Sequence, residues 1–309
     1  MNLYPSPIHQ FVRHSFERQT KKSMLLTAVF ILLILPCLIH AEQEGDFTYS
    51  IKDGAVTITK YTGAGNAVTV PDKLGGVSVR SIDKETFSGA DHVTNVKIPS
   101  SVTSHEGGIW AYPMIYGGMA SITVDPANPA YCSVDGVLFD KSRTTLLKYP
   151  SKRAGKHYEI PYGVTHLGLA AFNLKSELAS VTIPSSVTYI ENNNFGGYES
   201  LTTVTFDGNA PELAGTIFYQ TPKDLTVRYY KGSIGFPLKK TFKQLEIDPA
   251  TEPIEWISND NKTIKATFLK LEGEGVVLRT DKGKETKVPF SRLSAASVAK
   301  SKLFGGRNK

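Results

Sequence analysis

Hydrophobic and polar residues repeat with a fixed spacing in the middle of the chain. The hexapeptide "IPSSVT" and its variant "IPYGVT" stand at residues 98–103, 160–165 and 183–188. The interval from Pro161 to Pro184 equals the interval from Phe172 to Phe195. A constant period of about 23 residues, with apolar positions in register, is typical of a solenoid. Each unit then buries its apolar edge only against its neighbours, so that the units share one core.

Each unit has its own internal pattern. "SVTI" and "NVKI" alternate polar and apolar residues, as a short strand with one buried face does. Proline ends the strand because it has no N–H for a sheet ladder, and "SS" or "YG" then suits a turn. A second apolar pair follows in "VTYI" or "VTHL", and "AAF" or "NNF" places a phenylalanine where the coil closes.

Other units depart from this pattern. An early unit opens at "VTVP", but its Phe87 lies further from Pro71 than Phe172 lies from Pro161, so extra residues are expected to loop out. The unit at residue 98 is interrupted by "SHEGGIWAYPMIYGGM", and "SVDGVLFD" next predicts a hairpin around residues 135–136. A last strand pair within residues 201–236 is expected to form the terminal cap that a solenoid requires.

The pattern changes near the C-terminus. Residues 248–254, "DPATEPI", predict a linker. "KTIKATFLKLEG", "GVVLRTDKG" and "KETKVPFSRLS" then alternate polar and apolar residues, with a tight turn at residues 281–283. Several short strands in one small segment indicate a small antiparallel barrel, which we place at residues 255–304. Ser294 is expected to cap a short final helix, and residues 305–309 form a basic tail.

The N-terminal segment, residues 1–41, has the order of a secretory signal. A polar, basic stretch precedes an apolar run at residues 24–39, and the small residue Ala41 follows. We predict cleavage near Ala41 and a secreted or extracytoplasmic mature protein, in the periplasm or at the cell surface, without a further membrane span. The apolar run contains Pro36 and is shorter than the roughly 20 residues that a spanning helix needs, but an uncleaved anchor remains open. Pro36 directly before Cys37 disfavours a lipoprotein.

Composition and charge restrict the possible partners. The chain is 40% hydrophobic and 21% charged, as a globular protein is. Residues 42–250 hold 19 Lys and Arg against 21 Asp and Glu, whereas residues 251–309 hold 12 against 7. The basic segment is either a solvated face or a contact for acidic partners or an anionic surface. Basic and aromatic residues are not interleaved in the manner of nucleic-acid binding, so no nucleic-acid partner is expected.

The sequence offers no catalytic constellation. After signal removal only Cys132 remains, which we interpret as a small buried hydrophobe, with a nucleophile or an intermolecular bridge as the alternatives. We find no HExxH, GxSxG or phosphate-loop motif and no acidic residues at metal-ligand spacing. Residues 192–194, three asparagines, are interpreted as turn caps rather than ligands. We therefore predict no enzyme activity, no metal and no cofactor.

One segment carries candidate binding residues. "GGIWAYPMIYGG" places Trp110, Tyr112, Met114 and Tyr116 between glycine pairs. Rigid aromatic side chains on an insertion are common contact anchors, so Trp110, Tyr112 and Tyr116 are the predicted binding residues. The alternative is that this loop folds back and covers an exposed repeat edge.

The repeat segments also resemble a known family. "NPAYCSVDGVLFDKSRTTLLKYP", "YEIPYGVTHLGLAAF" and "LASVTIPSSVTYIENNNF" are similar to the BspA-like leucine-rich repeats of bacterial surface proteins, over about residues 47–236. The resemblance implies a mainly β fold, a leucine-rich-repeat solenoid at residues 42–247 with N- and C-terminal capping units. It also implies a protein-binding or adhesion role without catalysis. At "TSHEGGIW" the family pattern carries an apolar residue near His105, so that unit is expected to be distorted.

Residues 253–304 resemble the homology-1 domain of the fungal endocytic adaptor, which is an SH3-like barrel. The matching residues are Trp256, Ala266, Phe268, Leu271, Val277, Leu278, Gly283, Lys284, Val288, Pro289, Leu293 and Ser294. In fungi this domain binds short NPFxD-type sorting peptides, so the resemblance implies a second peptide- or surface-binding module. None of the fungal peptide-contacting residues can be placed on this sequence.

Together these observations predict an exported, non-catalytic protein that binds other proteins or adheres through its repeat solenoid, with the barrel as an accessory module. The alternative is a structural envelope protein whose basic barrel, within residues 251–309, docks to a polyanionic surface. The sequence does not name the protein partner.

Overall fold

The chain is mainly β and is seen here in a computed structural model. The residues that the structure describes are 41–104, 118–172, 177–215, 217–218, 220–236 and 243–306. From Glu42 onward they form one compact unit.

The strands before residue 248 are short. In chain order they are β1 (Glu42–Glu44), β2 (Phe47–Lys52), β3 (Ala55–Tyr61), β4 (Ala67–Thr69), β5 (Lys73–Leu74), β6 (Val77–Ile82), β7 (Asn95–Ile98), β8 (Ser121–Val124), β9 (Tyr131–Val134), β10 (Val137–Asp140), β11 (Thr145–Lys148), β12 (His157–Glu159), β13 (His166–Leu167), β14 (Ser180–Ile183), β15 (Tyr189–Ile190), β16 (Thr203–Phe206), β17 (Glu212–Leu213), β18 (Thr226–Tyr230) and β19 (Lys243–Ile247).

The N-terminal strands form a separate five-stranded sheet in the order β1-β2-β3-β6-β5. Its inward side chains, among them Val56 and Ile58, are fully buried. The extra residues of the first repeat unit form the β5–β6 hairpin, whose turn contains Gly75 and Gly76 with φ of 57° and 76°. The sequence predicted that these residues would loop out, and the structure shows that they pair as strands.

The repeat units form a β-solenoid of about 7 turns. One sheet has the order β12-β14-β16-β18-β19, with every pair parallel, and the sheet order β17-β15-β13-β11-β10-β9 flanks the same core. In the first sheet Val181 pairs with Val204, and Val204 pairs with Val227, each partner standing one repeat further along the chain. The predicted repeat period therefore determines which residues pair between neighbouring strands of the sheet.

The phenylalanines at the end of each coil form a ladder in the core. Rings of Tyr149, Phe172, Phe195 and Phe218 stack in sequence, with centroid separations of 5.2, 5.3 and 5.6 Å and interplanar angles of 20° to 27°. Consecutive rings of the ladder are one repeat apart in the sequence. The prediction of a phenylalanine at each coil closure is confirmed, and Tyr149 and Phe218 extend the ladder by one step at each end.

Buried asparagine side chains hold two of the turns. Asn194 is fully buried and donates to the carbonyl oxygens of Gly168 and Glu191 at 2.9 and 2.8 Å, while its Oδ1 accepts from the Phe172 amide. Asn128 does the same for an earlier coil. Asn194 therefore has the turn-capping role predicted for it.

Two further sequence predictions concern a hairpin in the middle of the repeat region and the strands near its C-terminal end. The predicted hairpin is present, since β9 and β10 pair antiparallel across Asp135 and Gly136, which have φ of 49° and 79°. The segments expected to form a terminal cap instead keep the parallel repeat register through β16 and β18. β19 then adds a further parallel strand at a shorter interval, since Thr226 pairs with Lys243.

The last part of the described chain, residues 254–306, is called the C-terminal module below. It contains β20 (Ile254–Ile257), β21 (Thr263–Leu271), β22 (Gly275–Thr280), β23 (Glu285–Pro289), a 3-10 helix (Phe290–Arg292) and α1 (Ala295–Gly305).

The four strands of the module form an antiparallel sheet in chain order, and Ser258 pairs with Leu293 in an isolated bridge. The predicted turn is present between β22 and β23, where Gly283 has φ of 76°. Ser294 caps α1 as predicted, since its Oγ accepts from the Ser297 amide at 3.2 Å.

The core of the module is continuous with the outer face of the solenoid. Trp256, Phe268 and Phe304 form its centre, and Tyr230 and Ile247 from β18 and β19 belong to the same buried cluster. The Tyr230 and Phe304 rings meet edge to face at 4.8 Å. The module therefore packs against the outward side of the repeat sheet.

A candidate binding cleft beside the repeat sheet

The outward side of the parallel sheet is polar. Along β14 and β16, Ser180, Thr182, Thr203 and Thr205 alternate with buried apolar residues, so they share the face opposite to the core. In the sheet register Glu159 pairs with Thr182, Thr182 pairs with Thr205, and Thr205 pairs with Arg228. One row of side chains therefore runs across four strands, with a carboxylate at one end and a guanidinium at the other.

The hydroxyls on this face are largely unused by the protein. Thr182, Thr203 and Thr205 are half-buried, and their hydroxyls make no hydrogen bond to the part of the chain that the structure describes. Ser180 differs, because its Oγ lies 2.6 Å from Nδ1 of His157. The threonine hydroxyls are thus available to water or to a ligand.

The C-terminal module supplies the second wall of a cleft over this face. β20 and β21 contribute Glu255 and Lys265, which pair opposite each other, and α1 contributes Lys300. Pro253, Ile254 and Ile257 add apolar surface at the edge. The cleft has a volume of about 670 Å³, which is within the usual range for small-ligand sites.

A buried ion pair joins the two walls. Lys300 Nζ lies 2.9 Å from Asp207 Oδ2, with side-chain exposures of 10% and 3%. Burial disfavours the charge on Lys300, but the carboxylate of Asp207 outweighs it and holds the pKa of Lys300 above its usual value. Burial, followed by the nearby Asp207, also raises the pKa of Tyr230. At neutral pH Lys300 is therefore a cation and Tyr230 is neutral.

Two buried polar atoms of the cleft have no partner within the described part of the protein. Asp207 Oδ1 and Arg228 Nε are buried and have no hydrogen-bond partner of good geometry among the described residues. Glu159 keeps an exposed surface, but burial by its surroundings raises the pKa of its carboxyl; Lys300 opposes this shift, and Asp207 and Glu255 add to it. Unpaired buried polar groups are costly, so this cleft is a place where a polar ligand gains binding free energy.

The charges that line the cleft balance one another. The acidic residues are Glu159, Asp207 and Glu255, and the basic residues are Arg228, Lys265 and Lys300. A ligand with a large net charge of either sign therefore gains little here. The arrangement favours a ligand that carries both hydrogen-bond donors and hydrogen-bond acceptors.

The sites predicted from sequence have different outcomes. Trp110, Tyr112 and Tyr116 lie outside the described residues, as do residues 1–40 with the signal-like run. Cys132 is partly buried against the core, and its Sγ lies 3.2 Å from the Asp140 carbonyl oxygen. The described part of the chain holds no cluster of three or more His, Cys, Asp or Glu side chains suited to a metal ion. None of its helices is both long enough and apolar enough to cross a membrane.

Sequence reasoning did not identify the cleft. The signal for its floor was present, because Thr182 and Thr205 occupy the same position in successive repeat units. The signal for the second wall was absent. Nothing in the local pattern around Asp207 or Lys300 indicates that these two side chains pair.

Comparison with known protein families gives a match within the repeat region. The model of the BspA type leucine rich repeat region matches in 6 copies, over residues 67–112 and 151–235. No curated protein sequence matches the chain significantly.

Several solved bacterial structures are similar to part of this chain. A leucine-rich repeat protein from Eubacterium ventriosum is 16% identical, covers 69% of this chain and 85% of its own, and has a TM-score of 0.39. A leucine rich cell surface protein from Faecalibacterium prausnitzii is 17% identical, covers 67% of this chain and 94% of its own, and has a TM-score of 0.27. A leucine rich repeat protein from T. pallidum is 18% identical, covers 67% of this chain and 83% of its own, and has a TM-score of 0.29. With the match of the family model and the parallel sheet register, the repeat region of this chain is a β-solenoid that is similar to the BspA type leucine rich repeat.

Proposed function

We propose that this chain is an exported, non-catalytic protein that binds other proteins, or adheres to them, through the outward face of its repeat solenoid. The observation that carries this proposal is the row of half-buried threonines on β14 and β16, whose hydroxyls have no partner in the described residues. Such hydroxyls face water in the cleft and can exchange it for direct or water-bridged hydrogen bonds when a partner binds.

Export is the second part of the proposal. It is supported by the order of basic, apolar and small residues in 1–41 and by the match of the repeat region to the BspA type, whose members are cell-surface or extracellular proteins. We propose that the mature chain begins near Ala41.

We further propose that the C-terminal module is an SH3-like barrel and acts as a second binding element. Four consecutive antiparallel strands and a 3-10 helix support this assignment. The bridge between Ser258 and Leu293 supports it as well, because it brings the chain after the last strand back to the end of the first.

A pull-down from a whole-envelope extract tests the proposed function. The bait is residues 42–309, compared with Thr205→Tyr, which fills the cleft from its floor. Thr286→Tyr on β23 is the matched control, because it adds the same ring at an exposed strand position of the C-terminal module. We expect partners retained by the parent and by Thr286→Tyr to be lost from Thr205→Tyr. Identical partner sets from all three baits contradict recognition through this face.

A second candidate function has a different basis. Lys282 and Lys284 in the turn between β22 and β23 are exposed and make no ion pair within the described residues. Other bases of the module are already paired with acids, namely Lys262, Lys270, Arg279 and Lys287. These two exposed lysines favour attachment of the basic module to a polyanionic surface. If this is correct, envelope retention falls steeply with added salt and falls further in a Lys282→Gln, Lys284→Gln double variant.

A further inference from the structure

We propose that the cleft binds a short peptide in an extended conformation, about four residues long, with a cationic group toward Glu159 and an anionic group toward Arg228. This inference rests on the proposed protein-binding function and specifies the ligand class for the same face.

The length follows from the sheet register. Glu159, Thr182, Thr205 and Arg228 stand on four neighbouring strands in one row. Neighbouring strands lie about 4.8 Å apart, so the row spans roughly 14 Å. An extended chain advances about 3.5 Å per residue, and about four residues therefore cover the row.

The chemistry of the row fits a peptide backbone. A threonine hydroxyl both donates and accepts, as the alternating N–H and C=O groups of an extended peptide require. Thr182 and Thr205 have free hydroxyls in the described structure, and both line the cleft. Asp207 Oδ1 is a further acceptor on the cleft wall, with its side chain 3% exposed.

The two ends of the row differ in charge. Burial raises the pKa of the Glu159 carboxyl on the floor; Lys300 opposes this shift, whereas Asp207 and Glu255 add to it. A cationic side chain or free amino group placed beside Glu159 stabilises its carboxylate. At the other end, Arg228 has a buried Nε without a partner. A guanidinium binds a carboxylate in bidentate geometry, so this end suits an acidic side chain or a free carboxyl terminus.

Two other ligand classes fit less well. A saccharide site usually offers an exposed aromatic face, but the Tyr230 ring is buried and contacts Phe304 at 4.8 Å, while Lys300 Nζ lies 5.9 Å from its centroid. Tyr158 packs inward against Tyr149 and Phe172. A polyanion is not favoured, because the three acids of the cleft offset the three bases.

The test uses residues 42–309 and a positional-scanning library of tetrapeptides with free termini, with bound peptides recovered by filtration and identified by mass spectrometry. We expect enrichment of peptides with Lys or Arg in the first half and Asp or Glu in the second. Glu159→Gln and Arg228→Gln should each weaken binding of the selected peptide about tenfold, whereas Lys52→Gln, at the exposed end of β2, should leave its affinity unchanged. Circular dichroism of each variant checks that the fold is kept.

A charge exchange gives a sharper readout than loss of binding. The double variant Glu159→Arg, Arg228→Glu reverses the ends of the row, and it should select peptides of the opposite charge order. Retention of the original order by this variant places the peptide elsewhere and overturns the inference.

Other outcomes separate this inference from the proposed function. The inference fails if no tetrapeptide is enriched over the Thr205→Tyr variant, or if maltotriose, the saccharide probe, binds the cleft and the peptides do not. If envelope partners are nevertheless lost from Thr205→Tyr, the protein-binding function stands without the peptide cleft. If the pull-down also shows no dependence on Thr205, both proposals fail.

Discussion

The ion pair between Lys300 and Asp207 gives the most direct test of how the C-terminal module is attached. Both side chains are nearly inaccessible, at 10% and 3% exposure, and their charged atoms lie 2.9 Å apart. Lys300→Met leaves a buried carboxylate whose other oxygen already lacks a partner, and Asp207→Leu leaves a buried ammonium. Removal of one partner from such a pair costs about 3–5 kcal/mol. The double variant, which leaves two apolar side chains, should lie close to the parent or above it.

Urea unfolding of residues 42–309 measures these free energies. Trp256 is fully buried in the module, so its fluorescence reports the unfolding of that part; a Trp110→Phe background removes the second tryptophan. Arg279→Met is the matched control, because the Arg279–Glu285 pair has a similar length of 2.8 Å but exposures of 51% and 54%. An exposed pair contributes about 0–1 kcal/mol.

The reasoning is refuted if Lys300→Met costs no more than Arg279→Met. In that case the pair is hydrated, and the module is not held against the sheet by a desolvated contact. A double-mutant cycle completes the test, since a coupling energy near zero has the same meaning.

Three further predictions concern the solenoid. Phe195→Ala should destabilise the protein by about 3–5 kcal/mol, since it leaves a cavity between two stacked rings, and Phe195→Leu should cost clearly less; urea midpoints measure both. Asn194→Ala should cost about 2–4 kcal/mol, because it leaves the Gly168 and Glu191 carbonyls and the Phe172 amide without their partner; a loss below about 1 kcal/mol means that water replaces the side chain. Lys148→Met should stabilise the protein by about 1 kcal/mol at pH 7, because burial lowers the pKa of Lys148 to about 8 and the folded state carries a disfavoured charge below that pH, while loss of the hydrogen bond from Nζ to the Ala170 carbonyl oxygen offsets part of the gain. The gain should shrink as the pH rises from about 8 toward 10.5, where the folded parent loses this proton before the unfolded chain does, and a constant gain across that range contradicts the assignment.

Much of the solenoid could be predicted from the sequence because its contacts repeat. A residue of one coil meets its equivalent in the next, so a fixed spacing in the letters becomes the strand register and the ring ladder through Phe172 and Phe195. Turns could also be predicted, because their conformation depends on the local sequence. The hairpin at Asp135 and the cap at Ser294 depend only on neighbours within a few positions.

The rest depends on contacts that no period encodes. Lys300 pairs with Asp207 and Phe304 meets Tyr230 because two differently folded parts of the chain come together. These contacts depend on how two surfaces fit together, and a short stretch of sequence does not show which surface its residues will form. β19 was missed for a related reason, since it joins the sheet at a shorter interval than the repeat. The aromatic residues Trp110, Tyr112 and Tyr116 remain a prediction, because they lie outside the described residues.

The constant register of the parallel sheet also has a consequence for ligand length. Since successive coils are equally long and pair in the same way, duplicating the coil from β14 to β16 would add one threonine position to the row between Glu159 and Arg228. The two charged ends would then move apart by about 4.8 Å, the distance between neighbouring strands, with each local contact unchanged. The number of coils thus sets the length of peptide that such a cleft accommodates, and each added coil lengthens that peptide by somewhat more than one residue.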